Sequence, residues 1–128
     1  MAVQESERRF RTLVVDDEPG ILNFVRLKLK LAGFDVLTAT SGERALSLAE
    51  SEKPDIMLLD ILMAPMSGLE VLEKLREFSQ MPVIVFTGNT RVVDTALKLG
   101  ASAYISKPFD PDVLIKKIQE VVSDTSDA

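Results

Sequence analysis

"TLVVDDEPGI", residues 12–21, is an apolar run that stops in three consecutive acids, Asp16, Asp17 and Glu18, followed by Pro19. A strand ending in a turn that opens a helix is the first half of a βα unit, and Pro suits the first helical position. Like charges side by side at the end of a buried strand cost stability unless something positive lies among them.

The same alternation continues along the chain. Strand-length apolar runs at 12–15, 34–39, 56–59, 83–86 and 103–106 alternate with segments of helical period at 19–32, 42–51, 68–78, about 91–99 and 109–122. Five βα units around a parallel sheet are expected. Gly33 and Gly100 read as helix stops, and Asp110 with Pro111 as the cap and first position of the fifth helix. The first helix turns Ile21, Leu22, Val25 and Leu29 inward, and the third presents a stripe of Leu69, Leu72 and Leu75. Strands 1, 3 and 4 are continuously apolar, as doubly buried strands are, whereas 2 and 5 are mixed and belong at the edges. The fold class is therefore α/β, a doubly wound (βα)5 flavodoxin-like sandwich of strand order 2-1-3-4-5. That order opens a crevice beyond the carboxyl ends of strands 1 and 3, where such sheets bind ligands.

Composition sets limits. With 128 residues, one domain has a sufficient core; it is expected over 11–123, between a flexible N-terminal segment, 1–10, and a flexible tail, 124–128. The chain has 20 acidic and 15 basic residues, net charge -5, which disfavours direct contact with nucleic acid. It has neither cysteine nor histidine, so thiolate and imidazole chemistry are excluded and any metal must be held by oxygen, favouring magnesium or calcium. The polar start "MAVQESERRF" and the short apolar runs give neither a signal peptide nor a membrane span, leaving the cytoplasm as the default.

The residue at or just past each strand end supplies the chemistry: Asp16 and Asp17, Asp60, Thr87 and Lys107. Taken singly, each has an ordinary reading: Asp17 and Glu18 as helix caps, Thr87 as a turn residue, Lys107 as a surface cation. Their joint convergence on one rim is not explained by capping. Three close carboxylates resist joint ionisation without a divalent cation, so they imply a magnesium site that accepts phosphate oxygens as further ligands. Lys107 offers a point charge for phosphate and Thr87 a hydroxyl donor, which leaves a carboxylate free to act as a nucleophile and form an acyl phosphate.

The segments "VVDDEP", "PDIMLLDILMAPMSG", "PVIVFTGN" and "GASAYISKPF" together resemble the receiver domains of two-component response regulators over nearly the whole chain. The resemblance implies that Asp60 is the phosphoacceptor and that Mg2+ is held by Asp16, Asp17, Asp60 and the Leu62 backbone carbonyl, with Asp17 a more direct ligand than Asp16. It implies that Thr87 and Lys107 bind phosphoryl oxygens, that Thr87 and Tyr104 form the switch, and that the Lys107–Pro108 bond is often cis. Leu62 and Asn89 fall at positions that influence the lifetime of the acyl phosphate, and an apolar Leu62 cannot orient an attacking water. The proline that such domains usually carry four residues past the acceptor stands one residue later here, at Pro65, after Ala64.

A signalling phosphoacceptor is thus expected, not an enzyme with turnover of its own, although it assists its own phosphorylation and dephosphorylation. Its partners would be a sensor histidine kinase or phosphotransfer protein, and a downstream protein target at the helix 4, strand 5, helix 5 face, with a phosphorylation-dependent homodimer as an open alternative. A stand-alone receiver is the favoured reading, because "SDTSDA" follows helix 5 where a helix-turn-helix would have to begin. The alternatives are a fragment of a longer DNA-binding regulator and an aspartate-nucleophile phosphatase of haloacid-dehalogenase type. The latter puts a D-x-D nucleophile on strand 1, where this chain has D-D-E-P.

Overall fold

The structure, a computed structural model, describes residues 10–127, and side chains up to residue 123. Its elements are β1 (Arg11–Val15), α1 (Pro19–Leu31), β2 (Asp35–Ala39), α2 (Gly42–Glu52), β3 (Ile56–Asp60), α3 (Gly68–Leu75), β4 (Val83–Thr87), a 3-10 turn (Thr90–Val92) leading into α4 (Val93–Lys98), β5 (Ala103–Ser106) and α5 (Pro111–Asp127). The five strands are parallel and lie in the order β2-β1-β3-β4-β5, as the distribution of apolar runs predicts. Every residue of β3 and β4 is buried, while the edge strands β2 and β5 are partly exposed.

Alternation along the strands divides the core into two layers. Leu13, Val15, Met57, Leu59, Val83 and Val85 face α2, α3 and α4, packing on Leu48, Val71, Leu72, Leu75 and Ala96. Val14, Ile56, Leu58, Ile84, Phe86 and Ile105 face α1 and α5, packing on Leu22, Val25, Leu29, Leu114 and Ile118. With both faces of the sheet sealed by helices, the strand ends are where polar side chains can collect. Gly33 (φ 98) and Gly100 (φ 105) close α1 and α4 in the left-handed region, as their positions suggest.

Four details depart from expectation. In α1, Ile21 is half-buried, and the inward side chains are Leu22, Val25 and Leu29. In α3, Val71 joins Leu72 and Leu75 in the core while Leu69 is half-buried, and the helix ends at Leu75, leaving Phe78 exposed. The fourth helix is split: β-branched Thr90, Val92 and Val93 disfavour a helical start, and the Asn89 side chain accepts from Arg91 N–H (3.0 Å), favouring the tighter turn. α5 continues to Asp127, so the backbone of residues 124–127 carries on the helix where a tail was expected, no Gly or Pro being there to break it. Segment 1–10, apart from Phe10, and Ala128 lie outside the described residues.

One long-range link matters below. Arg76, at the end of α3, donates from Nη1 to the Ser79 carbonyl (3.1 Å) and from Nη2 to the Gly100 carbonyl (2.8 Å), tying the end of α3 to the end of α4. Burial lowers its pKa.

Candidate functional site

β1, β3 and β4 deliver their last polar residues to one crevice. Asp16 follows β1, held in line with the sheet by its N–H to the Ala39 carbonyl (3.2 Å). Its carboxylate is fully buried; Oδ1 accepts from Glu18 N–H at 2.9 Å. Glu18 itself stands at the N-cap of α1 without a side-chain cap bond, so capping does not explain this acid. Asp60 ends β3, also buried, with Oδ1 accepting from Leu62 N–H at 3.2 Å. Asp17 is exposed, yet one oxygen from each of Asp16, Asp17 and Asp60 lies within 4.8 Å of the others.

Lys107 reaches into this cluster from just beyond β5. Its Nζ stands 3.3 Å from Asp16 Oδ2 and 3.4 Å from Asp60 Oδ2. Its N–H donates to the Thr87 carbonyl (2.9 Å), and Nζ lies 5.0 Å from the centre of the Phe86 ring, which Phe109 supports edge-on at 5.8 Å. An aromatic face under an ammonium adds attraction and restricts where the flexible stem can go. Thr87, fully buried at the end of β4, accepts at Oγ1 from Asn89 N–H (3.1 Å). Lys107–Pro108 is cis, as is Ala64–Pro65 in the loop after Asp60.

The electrostatics show what is missing. The Asp60 carboxyl is raised from 3.8 to about 6, above all by burial, with Lys107 and the Leu62 N–H opposing the rise and neighbouring Asp16 adding to it. Among the described residues, one ammonium faces three carboxylates. The deficit of positive charge and the all-oxygen donor set fit a hard divalent cation such as Mg2+.

Asp16, Asp17, Asp60, Thr87 and Lys107 are thus brought to one rim. The Leu62 side chain is 57% exposed, and only its backbone N–H is engaged with Asp60. Tyr104 stands apart on the edge strand, 44% exposed, in a shallow groove with Phe109, Val113 and Lys117. Sequence reasoning missed Phe86 and Phe109 as the support of Lys107. Each reads as an ordinary apolar residue, and nothing local signals a contact made across the fold.

The model of the response regulator receiver domain matches residues 12–119. The chain belongs to the response regulator receiver family. Among curated relatives, the probable transcriptional regulator ycf27 of Guillardia theta is 39% identical over 124 residues, 95% of this chain and 49% of the relative. The alkaline phosphatase synthesis transcriptional regulatory protein PhoP of Bacillus subtilis is 37% identical over 115 residues, 88% of this chain and 48% of the relative. The chain therefore spans about half the length of the curated relatives it matches. Among solved structures, a CheY-like receiver domain from Methanospirillum hungatei superimposes with a TM-score of 0.89 at 32% identity, covering 94% of this chain and 98% of that one. Membership in this family disfavours the dehalogenase-type phosphatase. Among the described residues, no helix is long and apolar enough to cross a membrane.

Proposed function

We propose that Asp60 is the phosphoacceptor of this receiver domain, and that Asp16, Asp17, Asp60 and the Leu62 carbonyl hold Mg2+. The observation that carries the reading is a buried Asp60 whose carboxyl is pushed up to about 6 although Lys107 touches it. Such a site is short of positive charge and gains most when a compact cation neutralises it. When bound, Mg2+ supplies that neutralisation for the carboxylates and for incoming phosphoryl oxygens.

In the transfer, an Asp60 carboxylate oxygen attacks the phosphorus of a donor phosphohistidine. The P–O bond forms as the P–N bond breaks and the electron pair returns to that ring nitrogen; with the donor ring protonated at its other nitrogen, the imidazole leaves neutral. Lys107 offsets charge on the phosphoryl oxygens, and Thr87 donates its hydroxyl to them, a matter of positioning and electrostatics. Self-dephosphorylation reverses the burden: water must reach the same phosphorus past Leu62.

A donor protein has an apolar approach to this rim. Ile21, Phe24, Pro108 and Phe109 line a groove beside Lys107, and exposed Phe24, Leu27 and Leu31 continue it along α1. The output face is that of α4, β5 and α5, where Leu97, Tyr104 and Val113 are exposed and suited to a downstream protein or to a second copy. Inward movement of Thr87 toward a phosphoryl group would free room for Tyr104 and bias that face. The net charge of -5 leaves any contact with DNA to regions beyond the matched half of the longer relatives.

The test is to incubate the protein with a small acyl phosphate and Mg2+ and to weigh it intact. The wild type gains one phosphoryl group, Asp60→Asn gains none, and chelation abolishes the gain. Label on another residue, or steady turnover of unrelated phosphate esters, overturns the reading.

A further inference from the structure

Eight residues past Asp60 the chain returns to it. Gly68 is the first residue of α3, and its N–H donates to the Ile61 carbonyl at 2.8 Å, an oxygen that also receives Met63 N–H at 3.1 Å. A Cβ built on Gly68 would lie 2.6 Å from Ile61 Cα and 3.0 Å from the Asp60 carbonyl carbon, with the Asp60 carbonyl oxygen nearer still. These are backbone atoms in a buried strand end, so no side-chain rotation relieves the overlap. The requirement for glycine here comes from contact, since the φ of Gly68 lies outside the left-handed region that singles out Gly33 and Gly100.

We propose that Gly68 is a positioning residue for the Asp60 site: its bare Cα lets the first turn of α3 press on the Asp60–Ile61 peptide and hold the acceptor and the Leu62 backbone in place. This rests on the phosphoacceptor reading above and deepens it.

Two further observations support it. Ser67 and Glu70 form a reciprocal capping box, Ser67 Oγ accepting from Glu70 N–H (3.3 Å) and Glu70 Oε1 from Ser67 N–H (3.4 Å), so the turn that presents Gly68 is itself braced. Leu62 N–H, in the same peptide group as the doubly held Ile61 carbonyl, donates to Asp60 Oδ1 (3.2 Å). A shift of the 60–62 backbone thus moves the acceptor carboxylate and the Leu62 carbonyl together. Gly42 provides an internal contrast. A Cβ there would meet Val71 Cγ2 at 2.7 Å and Met66 Sδ at 2.8 Å, side-chain atoms, and no backbone atom of Asp60 or Ile61.

The experiment measures Mg2+ affinity by calorimetry, the rate of labelling by a small acyl phosphate at saturating Mg2+, and melting temperature, for wild type, Gly68→Ala, Gly42→Ala and Ser67→Ala. Displacing a reacting group by a fraction of an ångström costs on the order of tenfold. Gly68→Ala is therefore expected to raise the Mg2+ Kd and lower the labelling rate by ~10-fold each. Ser67→Ala should move both in the same direction by about 2- to 3-fold as the brace loosens. Gly42→Ala should lower the melting temperature and leave Kd and rate within about twofold of wild type. A folded Gly68→Ala with wild-type Kd and rate overturns the proposal, whatever its melting temperature. If Gly68→Ala does not fold, Ser67→Ala decides, and an unchanged Kd there overturns it. Failure of the wild type to take label on Asp60 would instead sink the phosphoacceptor reading, while the Kd comparison would still decide the role of Gly68.

Discussion

The two ends of the sheet handle charge in opposite ways. At the amino end, Arg11 N–H donates to Asp55 Oδ2 (2.8 Å), and the Arg11 guanidinium donates to the Glu52 carbonyl (2.8 Å) and to Glu52 Oε1 (2.7 Å), closing off the C-terminus of α2. These groups are satisfied and open to water. At the carboxyl end, Asp16 and Asp60 are buried against each other with Lys107 between them, and Asp60 remains reluctant to ionise. The same strands thus finish in a stabilising clasp on one side and in an unfavourable cluster on the other. A protein keeps such a cluster where a ligand is meant to relieve it.

The largest effect that would test this contrast is at Lys107. Lys107→Ala should slow labelling of Asp60 by about 100-fold at saturating Mg2+, the scale of losing a preorganised charge at developing anionic oxygens. A time course of intact mass reads it, and Arg11→Ala run beside it should match the wild type.

Next is pH-dependent stability without metal. The folded Asp60 carboxyl titrates near 6 and the unfolded one near 3.8, so between these values the folded state holds the extra proton. Stability must then fall as pH rises through that window, by on the order of 3 kcal/mol. Chemical denaturation in chelator across this range checks the sign. Asp60→Asn should remove this component of the slope, being more stable than the wild type at pH 7 by a similar amount and no different below the unfolded pKa.

Smaller again is the lifetime of the acyl phosphate. Replacing exposed Leu62 with Asn gives an attacking water a polar partner, and the half-life should shorten by about 3- to 10-fold. An unchanged half-life would remove Leu62 from the account of slow self-dephosphorylation.

The amino end should yield only modest changes. Arg11→Ala should cost ~1 kcal/mol in denaturant titration, since its pair with Glu52 is solvent-exposed and screened. Thr12, fully buried in β1, has an Oγ1 without a hydrogen-bond partner among the described residues. Thr12→Val should stabilise by up to about 1 kcal/mol, with no effect on labelling.

How far the sequence speaks follows from the range of each interaction. Strand order was legible because double burial writes itself into 56–59 and 83–86 as unbroken apolar runs, and into 34–39 and 103–106 as mixed ones. The rim residues were legible because each directly ends a strand, and parallel strands bring their ends together. What could not be read depends on contacts that no periodicity signals, such as the ring of Phe86 beneath Lys107 and the backbone of Gly68 against Asp60. The third helix shows a milder limit: Leu69, Leu72 and Leu75 make a plausible stripe, yet it is Val71 that is buried beside Leu72 and Leu75, while Leu69 is half-buried.

The link from Arg76 to the Gly100 carbonyl has a mechanical side. It moors the far end of α4, whereas the near end departs from Thr87 through Asn89 and a single 3-10 turn. The segment is a short lever pinned at its tail, so under the switch proposed for Thr87 a tug from its hydroxyl would be spent on swinging the head.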